Sequence, residues 1–357
     1  MLSSDSDMSD LEILFDLSDW DESEIDTTDD ENEPVRVYKE RVNYIKTLDA
    51  HEFVLRFRVS KTLVESLLTE IYPHLNDLGS RNVDMSPLHQ LLLTLRFYAL
   101  GSLVSVGQFI GVSKSLANQI VRDVSCAITH LYSKYVCVNN TTDKFYKIAR
   151  FPHVLGVIDC THIKIHITRV RRITEDYRNN TGSYSINVQA VCDANLMFMN
   201  IESKWPGSTD DATIFLNSVL KVQCERKVYG NKWLLGDNAY PLKPYLLTPI
   251  LNPQSRSEEL YNQSHNTTRD CIVQCFKLWK RRFPALGFII RTSVISANAV
   301  ILATAILHNI CITSNVDDVP PEVKIPYEEV VPVSDVLDVP KNAELEALLA
   351  NHFNEEM

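Results

Sequence analysis

The sequence has no Lys or Arg among its first 34 residues, no paired CxxC elements, and no uninterrupted apolar run of the roughly 18 residues that a membrane-spanning helix needs. The first absence argues against a secretion signal, which is basic and then apolar. The second argues against a zinc site of paired-cysteine spacing, and the third against an integral membrane protein. The eight cysteines, at 126, 137, 160, 192, 224, 271, 275 and 311, are scattered and read as reduced thiols. Cys271 and Cys275 stand one helical turn apart and read as a packing pair. The chain is expected to be soluble and intracellular. It also has no strong basic run of nuclear-localisation type; its nearest approach, KLWKRRF, reads as helix surface.

Charge is segregated. Residues 1–34 carry fourteen acids and residues 316–357 carry eleven acids against two lysines, so residues 35–315 hold +12 in a chain of formal charge −11. A basic middle between acidic tails points to a polyanionic substrate or partner, where the whole-chain charge would suggest the reverse. With 357 residues, 45% of them hydrophobic, the chain can bury a sizeable core.

The pattern divides the chain into four stretches. Residues 1–34 form an acidic block punctuated by Leu11, Ile13, Leu14, Phe15, Leu17 and Trp20, which cannot fold alone; it reads as a solubilising tail or a short partner-binding segment. Residues 35–147 read as helical. SPLHQLLLTLRFYALGS opens with Ser86-Pro87 and stops at Gly101, a further helix spans about 104–110, and Ser113 can cap a third beyond Gly111. Two helices around a short glycine-containing turn fit a helix-turn-helix or an ordinary bundle. In residues 148–315 the period shortens: VLGVID, IKIHI, SINVQAVCDA, MFMNIESKW and WLLGD have strand lengths, and helices are expected at DDATIFLNSVL, about 266–283 and SANAVILATAILHNICI. That order predicts an α/β fold with a mixed sheet covered by helices. Residues 316–357, with five prolines, read as an acidic linker ending in a short helix near AELEALLANHF.

Two aspartates carry the chemistry. Asp159 follows the apolar run VLGVI and Asp237 follows WLLG, where an unpaired charge is costly unless it binds something. Side by side in one sheet they would form an oxygen-rich site suited to Mg²⁺ or Mn²⁺ and to phosphodiester chemistry. Either one alone reads equally well as a turn-capping residue. Asp211, at the helix start in WPGSTDDATIF, fits a metal ligand or a capping role. His162 and His166 would share a strand face and read as structural histidines, since hard cations prefer oxygen.

The segments GVIDCTHIKI, YRNNTGSYSINVQAVCDA, WPGSTDDATIF and LLGDNAYPLKPYLLTP, in this order, resemble successive blocks of the PIF/Harbinger transposases and of the nuclease derived from them. RNVDMSPLHQLLLTLRFYALGS resembles the helical N-terminal part of the same family, and the likeness runs from about Val35 to about Ile312. The resemblance implies a ribonuclease-H-like DDE domain, a divalent metal, DNA cleavage, and metal ligands at Asp159, Asp211 and Asp237. It also implies a Myb/SANT-like partner that supplies DNA recognition and assists nuclear entry, and so a distribution between nucleus and cytoplasm.

The resemblance further implies a glutamate thirty-five residues beyond Asp237, and that position is Val273. At about 100° per residue, Ile272, Phe276, Trp279 and Phe283 form an apolar stripe, with Val273 off its edge beside Arg269, Lys277 and Lys280. Valine suits an exposed, cation-lined position poorly. Asp270, or Glu258 and Glu259 in what reads as the preceding loop, are the acids that could substitute. Arg269, Lys277, Lys280, Arg281 and Arg282 are candidates for gripping the phosphate backbone. Two functions follow: a metal-dependent DNA endonuclease, or a catalytically impaired descendant acting as a DNA-binding or chromatin scaffold protein.

Overall fold

The computed structural model of the chain describes residues 42–77, 85–167, 172–324 and 341–354. The acidic block 1–34 lies outside the described residues, as do Pro326, Pro332 and Pro340 of the C-terminal stretch. The first helices are α1 (Tyr44–Thr47), α2 (Ala50–Phe57) and α3 (Lys61–Asp77). Next, α4 (Pro87–Leu100) begins where Ser86 accepts the His89 amide and ends at Gly101, whose φ of 73° is the left-handed stop a side chain would resist. α5 (Leu103–Ile110) and α6 (Lys114–Thr129) flank a three-residue turn of Gly111, Val112 and Ser113; Gly111 has φ 82° and Ser113 caps the second helix. The short α7 (Tyr132–Tyr135) and α8 (Thr142–Ala149) lead into the sheet.

The strands are β1 (Val154–Lys164), β2 (Ser185–Cys192), β3 (Phe198–Pro206), β4 (Trp233–Leu235) and β5 (Leu246–Leu247), in the spatial order β3-β2-β1-β4-β5. β2 runs antiparallel to its neighbours β1 and β3, whereas β4 and β5 run parallel to β1. VLGVID and the first residues of IKIHI form one strand: β1 runs on past Asp159 because β2 pairs with it from Val157 to Lys164. β4, in contrast, leaves β1 at Val157. The sheet therefore opens immediately before Asp159, at the junction of its parallel and antiparallel halves, where crevices in α/β sheets form.

Two apolar layers flank the sheet. Ile158, Val191, Leu234 and Leu246 pack with Phe215 and Leu220 of α9 (Asp211–Leu216) and α10 (Val219–Glu225). Val157, Ile163, Ala190 and Cys192 belong to a larger core with Ile272, Phe276 and Trp279 of α11 (Arg256–Arg282) and Ile301 and Leu302 of α12 (Val294–Thr313). That larger core also contains Leu92, Val121 and Val124, so the helices before the sheet and the sheet itself share one apolar interior.

The lengths of α11 and α12 correct two expectations. α11 begins at Arg256, ten residues before the apolar pattern does, because Ser255 caps the Glu258 amide and Glu258 and Glu259 occupy the first turn. α12 has 20 residues without Asp, Glu, Lys or Arg, and is long and apolar enough to cross a membrane, but 83% of its most apolar stretch is buried within the protein. It packs on α6 and β3. Polar residues broke the apolar run in the sequence, and Asn309 among them is satisfied inside: it donates to the Tyr135 and Phe198 carbonyls at 2.7 Å each and accepts the Phe198 amide at 2.8 Å.

The acidic C-terminal stretch is not wholly a linker. Residues 316–322 lie across arginines. Arg58, 1% exposed, donates to the Val319 and Pro320 carbonyls at 3.1 and 2.9 Å, and Arg96 forms a two-bond pair with Glu322 at 2.7 and 2.9 Å. Farther on, α13 (Ala343–Asn351) packs on α11, and Phe353 inserts beside Phe151 and Tyr261.

Candidate metal centre

Asp159, Asp211 and Asp237 reach the same point by three different routes. Asp159 is carried on β1 just past its last β4 partner. Asp237 follows β4 by two residues, and its Oδ1 accepts the Ala239 amide at 3.0 Å, a local turn that fixes the carboxylate. Between β4 and Asp237 lies Gly236, where a Cβ would sit 3.0 to 3.3 Å from Tyr240, Ile158 and Leu246. Asp211 is the first residue of α9. The cap of α9 is Asp210, which accepts the Thr213 amide at 2.8 Å and the Thr213 hydroxyl at 2.7 Å. With the helix already capped by Asp210, the Asp211 carboxylate is turned to Asn187, which donates at 3.0 Å.

The loop that delivers Asp211 depends on Gly207. A Cβ there would stand 2.4 Å from Ser185 Oγ and 2.6 Å from the Tyr177 carbonyl, so a larger residue would push the loop off the end of β2. Asn187 ties the same loop down through the Thr209 carbonyl at 2.9 Å.

One oxygen from each aspartate lies within 4.8 Å of the other two, and among the described residues this is the group of acids, histidines or cysteines that converges in that way. Such an all-oxygen set fits Mg²⁺ or Mn²⁺ and excludes the soft-ligand pattern of a zinc site. Burial pushes the Asp159 carboxyl up to about 7; Arg269 opposes that rise and Asp237 adds to it. Burial also raises Asp211, against the pull of its hydrogen bonds from Asn187 and Cys160. Three part-buried carboxylates crowded in this way are short of positive charge, which is what a divalent cation would supply.

The cation present is Arg269. Its Nη2 donates to Asp159 Oδ2 at 2.8 Å and to Asp237 Oδ2 at 3.2 Å. The residue assigned to DNA-backbone contact therefore faces inward, because α11 lies along β1. Lys280, in the same row, donates to Thr161 of β1 at 2.7 Å and is buried. Arg282 is also buried and donates to the Val316 and Asp317 carbonyls. Of the five proposed cations, Lys277 and Arg281 are exposed, and Arg281 pairs with Asp318 at 3.5 Å.

Val273 lies between Arg269 and Lys280 on this row. It is half-buried and packs against the main core, which corrects the expectation of an exposed, cation-lined position. A valine is tolerated there because part of its side chain packs on the apolar core. Among the described residues, no fourth acid joins the three aspartates. Asp270 is exposed, and Glu258 lies fifteen residues earlier on the same helix, about 22 Å along its axis. Glu258 is engaged by the Gln254 amide and by Lys341, and Glu259 by Arg256. His162 bonds Ser185 Oγ at 3.0 Å, and His166 is exposed.

Asn187 and the inward turn of Arg269 were not found in the sequence. A polar residue inside the apolar strand SINVQAV was a usable signal for the first.

A mixed sheet of order 3-2-1-4-5, with helices on both faces and three aspartates gathered where its two halves meet, defines a ribonuclease-H-like domain of the DDE endonuclease class. Residues 158–309 match the model of the DDE superfamily endonuclease family. The chain is 31% identical over 289 residues to the Bos taurus protein named Putative nuclease HARBI1, covering 77% of this chain and 82% of that one. The Homo sapiens protein of that name is 30% identical with the same coverage. The Arabidopsis thaliana protein Antagonist of like heterochromatin protein 1 is 27% identical over 284 residues, 72% of each chain. No solved structure matches significantly. The chain belongs to the Harbinger-derived family of DDE superfamily endonucleases.

Proposed function

We propose that this chain is a divalent-metal-dependent DNA endonuclease working with a site reduced to three carboxylates, and that it hydrolyses phosphodiester bonds more slowly than a site with four acids would. The convergence of Asp159, Asp211 and Asp237 within 4.8 Å carries this reading. When bound, Mg²⁺ or Mn²⁺ would supply charge stabilisation at the scissile phosphate and help to activate the attacking water. Asp159 on β1 and Asp237 in the turn just after β4 would hold the ion from the sheet side. Asp211, oriented by Asn187, would close the donor set from the loop side. Val273 contributes no oxygen, so one side of the site lacks the ligand that a second ion would need. Exposed Lys277 and Arg281 on α11 are the cations left to meet the DNA backbone.

The test is nicking of supercoiled plasmid in Mn²⁺ beside an Asp159→Ala control. Slow nicking that the control lacks supports the reading, and nicking no greater than the control overturns it.

A second reading is favoured by Val273 itself, an apolar side chain packed where a ligand is expected: a DNA-binding or chromatin protein that retains the fold without cleavage. The name of the Arabidopsis relative, which opposes a heterochromatin protein, supports a chromatin setting. Under either reading we place the protein with a Myb/SANT-like partner, and in both nucleus and cytoplasm, with nuclear entry dependent on that partner. Largely cytoplasmic fluorescence of the chain expressed alone is expected, and uniformly nuclear fluorescence contradicts it.

A further inference from the structure

We propose that Arg269 is the resident cation of the site: its guanidinium bridges Asp159 and Asp237, two of the residues that would hold a divalent ion, and metal binds only by displacing it. The inference rests on reading the three aspartates as a metal site.

Three observations carry it. A single nitrogen, Nη2, serves both carboxylates, at 2.8 and 3.2 Å, although they come from different strands. A point cation shared between two oxygens stands in for a metal, whereas an arginine placed for a structural ion pair more often spreads two parallel N–H bonds over one carboxylate. The Arg96–Glu322 pair in this same chain has that second geometry.

The Arg269 Nε is buried without a hydrogen-bond partner, as are those of Arg58, Arg96 and Arg282. An unmade bond on a buried donor is costly, so this arrangement is held by the charge of the two aspartates rather than by complete satisfaction of the guanidinium. A competing cation has correspondingly less to overcome.

The third observation is Val273. It stands one turn beyond Arg269, where residues four apart on a helix are neighbours. A carboxylate there would give the guanidinium a partner on its own helix and draw it off the sheet. Valine offers none, and Asp270, the adjacent acid, is exposed. Among the described residues, the ion pairs of Arg269 are with Asp159 and Asp237. The replacement at 273 thus acts twice, removing a ligand and leaving a competitor in place.

The experiment is Mn²⁺ binding to the full chain, followed by electron paramagnetic resonance of free Mn²⁺, in wild type and in Arg269→Gln. We expect the variant to bind at least tenfold more tightly. Unchanged or weaker binding by folded variant overturns the proposal, since an arginine that only props the site would leave affinity level or lower it on removal. Should Arg269→Gln not fold, a crystal of the wild-type chain soaked in Mn²⁺ decides. Mn²⁺ on the aspartates with Arg269 swung away supports displacement, and Mn²⁺ with Arg269 still bridging, or no Mn²⁺ at the aspartates, overturns it. Cleavage is read separately: a chain that binds Mn²⁺ with Arg269 displaced and yet fails to nick plasmid sinks the endonuclease reading while the inference stands.

Discussion

Asp210 and Asp211 are adjacent and do opposite things: the first accepts the Thr213 amide at 2.8 Å and closes the start of a helix, while the second turns to Asn187 at 3.0 Å and faces the acidic site. The two substitutions should therefore separate stability from metal binding. Asp210→Ala is expected to lower stability by about 1 kcal/mol, the typical loss of an N-cap, while Mn²⁺ affinity falls little. Asp211→Ala is expected to abolish tight Mn²⁺ binding with a smaller loss of stability, because removing it also relieves a buried carboxylate among others. Urea unfolding and Mn²⁺ titration of both variants check the pair, and equal losses in both assays would contradict it.

Val273→Glu returns a fourth acid to the site. Plasmid nicking in Mn²⁺ is expected to rise at least tenfold over wild type. In EDTA the same variant should melt at a lower temperature than wild type, since a further part-buried carboxylate then lacks a cation, and Mn²⁺ should restore it. A variant that melts identically with and without Mn²⁺ would show that the new carboxylate does not reach the ion.

His308 provides a pH test with a definite sign. It is buried, donates through Nε2 to the Leu196 carbonyl at 2.8 Å, and burial lowers its pKa to about 4. At pH 7 the ring is neutral folded and unfolded. Below about 6.5 the unfolded chain takes up a proton that the folded ring refuses until about 4, so acidification favours unfolding by up to about 1.4 kcal/mol per pH unit in that window. Buried His265, also lowered to about 4, acts in the same direction and Asp159, raised to about 7, in the opposite one, so the whole-protein profile mixes these groups. The stability of wild type minus that of His308→Gln isolates the histidine. That difference is expected to shrink from pH 6.5 to 4, and a constant difference would be inconsistent with a neutral buried ring.

The strap formed by residues 316–322 should divide into weak and strong contacts. Glu322 is one-third exposed, so Glu322→Gln is expected to cost less than about 1 kcal/mol despite its good geometry. Arg58 is 1% exposed and relies on two strap carbonyls. Ending the chain after Ser314 would leave that buried charge without these acceptors and is expected to cost about 3 kcal/mol or more. Urea midpoints of the two proteins, each against wild type, measure the contrast.

The parts of the fold that local chemistry decides were readable from the residues. Ser86, Pro87, Gly101 and Ser113 set helix ends as their side chains dictate, and Asp159 and Asp237 stood out as charges at the ends of apolar runs. What was not readable depends on packing between distant segments. β1 continues past Asp159 because β2 supplies partners, which no window around VLGVID contains. The first ten residues of α11 carry no clear apolar stripe and are fixed by Ser255 and by α13 instead. Arg269 looked like a surface cation because its spacing marks the edge of the helix, and only the sheet beneath that edge turns it inward. Asp211 stayed ambiguous until Asp210 was seen to hold the cap.

α11 carries one more consequence. Its first turn is tied through Glu258 to Lys341, its middle presents Arg269 and Val273 to the site, and its last turn grips the strap through Arg282. A helix held at both ends by the C-terminal stretch transmits a disturbance at either end to whatever sits between. Affinity tags or reporter fusions joined after α13 thus pull on the same helix that presents Arg269 to the aspartates.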